Sequence, residues 1–302
     1  MNYHYPVRPV RLIVPYTPGG VGDTMARTIA QHLTGTLGQP VIVDNRPGAS
    51  ESIGAEVVAR SAPDGHTLFI ATETALVFNT ILKQKLPYDP VHDLAPIALL
   101  CRVPFYLVVN PSVPAQSVQD LIALAKSQPG KLTFASIGSG SMHHLVAEIF
   151  KSNAGLDIVH VPYKGSGPAM TDIVSGQVHL MFQGGGSALP YVRSGKLRGL
   201  ASTTAARTEA TPNMPTMMES GVPDFDVASW FGLFTAAGTP KSVIERLNLD
   251  VSDLLRSQQT RQKFALFGVD ITPGSAEELA ERIRKDIPFW KQFIRQVGIK
   301  PS

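Results

Sequence analysis

The sequence predicts an α/β protein built as two domains, and three observations carry the prediction. At 302 residues the chain is longer than one hydrophobic core usually covers. Apolar runs alternate with helix-like segments almost throughout, the pattern of parallel α/β units. Finally, two glycine-rich loops, one in each half, lead from an apolar run into a helix-like run. They are Leu12-Ile13-Val14-Pro15-Tyr16-Thr17-Pro18-Gly19-Gly20-Val21-Gly22-Asp23 and Leu132-Thr133-Phe134-Ala135-Ser136-Ile137-Gly138-Ser139-Gly140-Ser141.

In chain order, strands are expected at Val10–Val14, Val41–Val43, Thr67–Ala71, Pro96–Leu100, Phe105–Val109, Leu132–Ala135, Ile158–Val161, Val178–Phe182 and Leu197–Ala201. Between them, Thr24–Leu33 sets Ala26, Ile29, Ala30 and Leu33 on one helical face, with Asp23 beside the free N–H groups of its first turn. Ser141 can cap a helix carrying Leu145, Val146, Ile149 and Phe150. Ser166-Gly167-Pro168 opens another, ending at Gly176. Thr239-Pro240 and the Ser275-Ala276-Glu277-Glu278 capping box start the two longest C-terminal helices. No Gly/Ser-rich joint separates domains, so two stretches, Leu99–Val109 and Val227–Phe234, are expected to cross between them. Domain 1 then comprises 1–101 plus 232–302 and domain 2 comprises 102–231, with a ligand cleft between.

Composition narrows the function. Apolar residues at 43% against 17% charged describe a packed globule rather than a disordered chain. The net charge is only +3, with scattered Lys and Arg and no basic stripe interleaved with aromatics, which argues against a nucleic-acid partner. Cys101, the single cysteine, reads as a small buried hydrophobe and excludes an internal disulfide. No apolar run reaches the ~18 residues of a membrane span. The chain passes from Met1 almost directly into Tyr5-Pro6-Val7-Arg8-Pro9, so either a cytoplasmic protein or a mature secreted form with a new start methionine is expected.

The loops suggest anion binding. Glycine lets the backbone approach a ligand, and the first N–H groups of each following helix lack an intrahelical acceptor. With the positive end of the helix dipole they suit a carboxylate, and two such loops suggest a ligand held from both sides. Catalytic and metal readings fit less well. His143 and His144 point about 100° apart on a helix and cannot share one ion. Ser139 lacks the G-x-S-x-G spacing of a nucleophile elbow, because Ile137 and Ser141 occupy the glycine positions. Neither loop completes a dinucleotide fingerprint, and no Walker lysine follows. Neither catalysis, a metal nor a cofactor is expected.

Tyr5 to Gly20 resembles the start of mature Bug-type (TctC-like) periplasmic receptors, the solute-binding proteins of tripartite tricarboxylate transporters. Further matches are Gly38-Gln39-Pro40-Val41 with Asn45-Arg46-Pro47-Gly48-Ala49, Ala62-Pro63-Asp64-Gly65, Leu86-Pro87-Tyr88-Asp89-Pro90, His160-Val161-Pro162-Tyr163-Lys164-Gly165, Ser187-Ala188-Leu189-Pro190 and Ser229-Trp230-Phe231-Gly232-Leu233-Phe234. The resemblance implies a two-domain periplasmic binding protein (type II, Venus flytrap) with two crossing hinge strands. It implies a monomer that binds a small organic carboxylate and delivers it to membrane permease subunits; a soluble sensor remains the alternative, and a hydrolase is disfavoured. Carried over by position, it places Tyr16, Thr17, Gly19, Gly20 and Asp23 of the first loop at the ligand. Ser136, Gly138, Ser139 and Ser141 of the second loop join them. Thr72, Glu73 and Thr74 line the domain-1 wall, and Tyr163, Gln183 and Trp230 are candidates for the far end.

The chain departs from the family at two places. Gln183 stands where an acidic or amide residue is common and is followed by Gly184 to Gly186, which tilts the expectation toward a neutral or aromatic body. Glu73 replaces a small neutral residue and points either inward to meet an amine or amide, or outward as a solvated charge. C4 to C6 dicarboxylates, amino-acid-like acids and aromatic carboxylates such as terephthalate or nicotinate all remain open. Trp230 suits core or hinge packing as well as a stacking wall.

Overall fold

The computed structural model describes residues 5–298. The chain divides into two compact units. Unit 1 runs up to Cys101 and resumes over Trp230–Gln262 and from Ile271 onward; unit 2 holds Arg102–Ser229 and Lys263–Asp270.

Unit 1 grows from β1 (Val10–Val14), whose Leu12, Ile13 and Val14 are fully buried. β1 pairs in parallel with β2 (Val41–Asn45) and β3 (Thr67–Thr72). α1 (Val21–Leu37) and α2 (Ser52–Ala59) pack on these strands. β3 runs into a π-helical turn, Thr74–Phe78, continued by α3 (Asn79–Leu82). β4 (Leu94–Val109) joins the two predicted strands Pro96–Leu100 and Phe105–Val109 into one, and the unit boundary at Cys101 falls inside it.

Unit 2 continues with α4 (Val118–Ser127), β5 (Thr133–Ser136), α5 (Met142–Ala154), β6 (Val159–Pro162), α6 (Ser166–Ser175), β7 (Leu180–Gly184), α7 (Gly185–Arg193) and β8 (Arg198–Ser202). The second boundary falls inside β9 (Ala228–Ala236). α8 (Lys241–Arg256), α9 (Gln258–Ala265), β10 (Asp270–Gly274) and α10 (Ala276–Gln296) complete the chain. The predicted capping box at Ser275 is formed, with both reciprocal bonds to Glu278 present.

In unit 1 the strand order is β2-β1-β3-β9-β4, with β10 on β4; in unit 2 it is β8-β4-β7-β5-β6. Sequence patterning leads one to expect parallel pairing, and β1–β3 and β5–β7 have it. The exceptions are β9 against β3, and β7 and β8 against β4, all antiparallel. Periodicity marks a buried strand but carries no sign of its direction. The segment Lys263–Asp270 packs with unit 2, although the expected boundaries put all of 232–302 in domain 1. Its backbone docks where two glycines face: a Cβ on Gly268 would lie 2.7 Å from the Cα of Gly185.

Candidate functional site

In each unit the expected site residues gather at the carboxyl ends of parallel strands, where α/β sheets present loops and helix N-termini. In unit 1 these are the ends of β1 and β3. In unit 2 they are the ends of β5, β6 and β7, each followed by a helix.

The first loop leaves β1 at Pro15, and its residues Thr17 to Gly20 are exposed. Gly19 turns the chain with φ +99°. α1 begins at Val21, three residues before the predicted Thr24, with Gly20 as its N-cap and no side chain capping it. The N–H groups of its first turn therefore face outward from the helix end. Asp23 sits in that turn, 3% exposed. Its Oδ2 accepts from Gly19 N (3.0 Å) and Arg27 Nε (2.9 Å), and its Oδ1 from Asn45 Nδ2 (2.9 Å). Burial alone would raise this carboxyl, but those donors outweigh it and hold it at about 2. Asn45 also donates to Tyr16 O (3.0 Å), tying the end of β2 to the loop. Gly22 is required by close approach, since a Cβ there would lie 2.6 Å from Tyr16 Cδ2.

Beside this loop, Tyr16 and Thr72 meet Glu51, a residue absent from the sequence expectations. Tyr16 packs edge-on against Phe231 (5.9 Å between centroids), and its Oη donates to Glu51 Oε1 (2.6 Å). Thr72 Oγ1 donates to the same oxygen at 2.5 Å, and Thr72 N donates to Oε2 at 3.1 Å. Burial, then the Glu51 charge, push the Tyr16 phenol well above its ordinary range. Thr74 opens the π-helical turn, with its N–H on Thr72 Oγ1 (3.2 Å). Glu73 is neither solvated nor open to an amine: it is 3% exposed, and its Oε2 accepts from Trp230 N (3.1 Å). Trp230 is a core residue, 1% exposed, with Nε1 on Asp286 Oδ2 (3.0 Å).

In unit 2, Gly138 adopts φ +133° and its carbonyl accepts from Ser136 Oγ (3.1 Å) and Ser141 Oγ (2.7 Å). Ser141 caps α5 as predicted, accepting from His144 N. Ser139 is the exposed tip. The loop is fastened from below by histidines. His144 Nδ1 accepts from Gly140 N (3.0 Å), and His160 Nε2 meets Ser136 Oγ (2.7 Å). Their rings stack at 3.9 Å and 8°, and both stack on Phe134. Burial, then His144 and Lys151, lower His160 to about 4.

The predicted divergence of His143 and His144 holds. His143 turns to Phe105 (5.0 Å, edge-on) and to Gln183, where its Nε2 lies 2.8 Å from Oε1. Gln183 is 3% exposed and binds its surroundings with both ends: Oε1 also accepts from Gly184 N (2.8 Å), and Nε2 donates to Ser166 Oγ (2.8 Å). It thereby joins the first turns of α5, α6 and α7. Tyr163 lies after β6 and donates its hydroxyl to Asp172 Oδ2 (2.7 Å), its own N–H going to Ser136 O (2.9 Å).

The hydroxyls expected to grip a carboxylate thus mostly bond inward. Tyr16, Thr72, Ser141 and Tyr163 each donate to a protein acceptor, and Ser136 is fully buried between Gly138 and His160. Thr17 and Ser139 are exposed and Thr74 is half-buried, whereas the N–H groups of Gly19, Gly138 and Gly140 are taken by Asp23, Ser136 and His144. Among the described residues no group of three or more His, Cys, Asp or Glu side chains is placed to hold a metal ion. No described helix is long and apolar enough to cross a membrane.

Residues 25–299 match the family described as tripartite tricarboxylate transporter family receptor. The chain is 38% identical to the protein BugT of Bordetella pertussis over 297 residues, covering 98% of this chain and 91% of that one. Among solved structures it is similar to R. palustris Rpa4515 with adipate (36% identity, TM-score 0.85), covering 99% of this chain and 100% of that one. It is also similar to MatC from Rhodopseudomonas palustris with bound malate (32% identity, TM-score 0.78), with 96% and 100% covered.

Proposed function

The chain belongs to the tripartite tricarboxylate transporter receptor family, and on that premise we propose that it is a monomeric periplasmic receptor for a small organic carboxylate. It delivers that ligand to a membrane permease and does no chemistry on it. The observation that carries this reading is that both units pass from a strand through a glycine-bearing loop into a helix N-terminus, at β1 into α1 in unit 1 and at β5 into α5 in unit 2. Each supplies main-chain N–H groups at the positive end of a helix dipole, suited to an anion. Relatives solved with adipate and malate support the ligand class.

In this reading units 1 and 2 are the two lobes of the receptor. The carboxylate is held by N–H groups of both loops with Thr17, Thr74 and Ser139. Asp23, Ser136, Ser141 and Gln183 hold the loops in shape, while Glu73 and Trp230 support the wall behind Thr72. Binding favours the closed arrangement over the open one, and the permease reads that shift in population.

A thermal-shift screen over about fifty organic acids tests the reading, because a saturating ligand adds roughly 3–4 kcal/mol at 100 to 1,000 times its dissociation constant. If only free cationic amines raised the melting temperature, the carboxylate assignment would be wrong. Ser139→Asp places like charge against the ligand and is expected to abolish binding with the fold intact. Retained affinity by calorimetry would remove the second loop from the site.

A further inference from the structure

The turn between β2 and α2 passes through three successive non-glycine residues with positive φ: Ala49 (47°), Ser50 (53°) and Glu51 (67°). L-residues enter this region singly and at a cost, since Cβ crowds the carbonyl that follows. Here other side chains of unit 1 hold the turn. Asn79 Nδ2 donates to Ser50 O (2.8 Å) and Ser52 Oγ (3.1 Å), and Lys83 Nζ reaches Ala49 O and Ser52 Oγ. What the turn achieves is the placement of one carboxylate. Glu51 is 6% exposed, and its oxygens receive Tyr16 Oη, Thr72 Oγ1 and Thr72 N.

A hydroxyl has a single proton. Tyr16 and Thr72 both give theirs to Glu51, and Thr72 Oγ1 also accepts from Thr74 N, so toward any other group the Tyr16 oxygen offers only lone pairs. Such a surface repels a carboxylate oxygen and accepts from O–H or N–H. Tyr16 is only partly buried and adjoins the exposed first loop. In unit 2 Tyr163 likewise gives its proton to a carboxylate, Asp172.

We propose that Glu51 determines ligand specificity: by taking the protons of Tyr16 and Thr72 it makes this wall an acceptor surface, so the ligand carries, besides a carboxylate, a hydroxyl or amino donor. This rests on the receptor reading above and deepens it. Plain dicarboxylates are then the poorer ligands at equal chain length.

Calorimetry on the full chain tests this with succinate, glutarate and adipate, each beside its 2-hydroxy and 2-amino derivative. In the best-binding length, a donor-bearing acid is expected to bind at least about tenfold tighter than the plain one, the equivalent of one buried hydrogen bond. Glu51→Gln sets an amide NH2 against the two hydroxyls, turns a proton outward and should shrink that ratio or invert it. Tyr16→Phe keeps the ring on Phe231 but removes an acceptor; it should also shrink the ratio, and serves if Glu51→Gln fails to fold. A plain acid binding as tightly as its derivatives, or a ratio unchanged in a folded variant, overturns the inference while leaving the receptor reading intact. Binding by none of the nine acids overturns it too, and the receptor reading is then decided by the wider acid screen.

Discussion

Asp23→Asn asks whether a charge clamps the first loop. Burial by itself would raise this carboxyl; the donors Arg27, Asn45 and Gly19 instead bring it from 3.8 to about 2. A folded pKa below the unfolded one means that the carboxylate stabilises the fold at neutral pH. That contribution is lost as pH falls from the unfolded value through the folded one. At about 1.36 kcal/mol per unit the difference is roughly 2.4 kcal/mol. The Arg27 side chain is 54% exposed, so solvent and salt screen its share, leaving about 1.5–2 kcal/mol. Asparagine keeps the shape but turns one former acceptor into an NH2 that faces a donor. Urea unfolding followed by tryptophan fluorescence is a suitable assay, because the chain's 2 tryptophans, Trp230 and Trp290, both lie in unit 1. The variant should be weaker by that amount at pH 7, with the gap closing as pH falls from about 4 to 2. Equal stabilities at pH 7 would refute the clamp, and a gap that ignores pH would assign the loss to packing.

Other expectations follow from contacts already described. Gly22→Ala drives a methyl into the Tyr16 ring and should destabilise unit 1 by about 1–3 kcal/mol, an overpacking penalty; an unchanged urea midpoint would show that the ring moves freely. Gly185→Ala should separate Lys263–Asp270 from unit 2, read as faster amide exchange in that segment, because its Cβ meets the backbone of Gly268 at 2.7 Å. His160 has its pKa lowered to about 4, so its contribution is present above the unfolded value near 6.5 and drains as pH falls toward 4. Acidification through that window should weaken unit 2 by about 1–2 kcal/mol after discounting for the ring's partial exposure. The amides of Thr133–Ser136 report it, and His160→Gln should reduce the dependence without abolishing it, because burial also lowers His143 and His144 in the same unit; constant protection would mean that the stacked rings accept protons without separating.

Local chemistry alone determined a good deal of this protein. The run Leu12–Val14 is apolar, glycines follow it, and a helical face begins within a few residues; the same syntax recurs at Leu132–Ser141. Those signals depend on a residue and its near neighbours, so β1, α1, β5 and α5 emerge from the chain with their loops, and the capping box at Ser275 forms as written. Tertiary structure alone decided what the polar side chains at the loops are for. Glu51 lies 35 residues from Tyr16 and 21 from Thr72, Gln183 is 40 from His143, and Glu73 is 157 from Trp230. A hydroxyl in a sequence is donor and acceptor at once; only the neighbour that folding brings to it fixes which way its proton points. Strand direction at β4 and β9 was hidden for the same reason, because pairing is chosen between distant segments while periodicity is written within one.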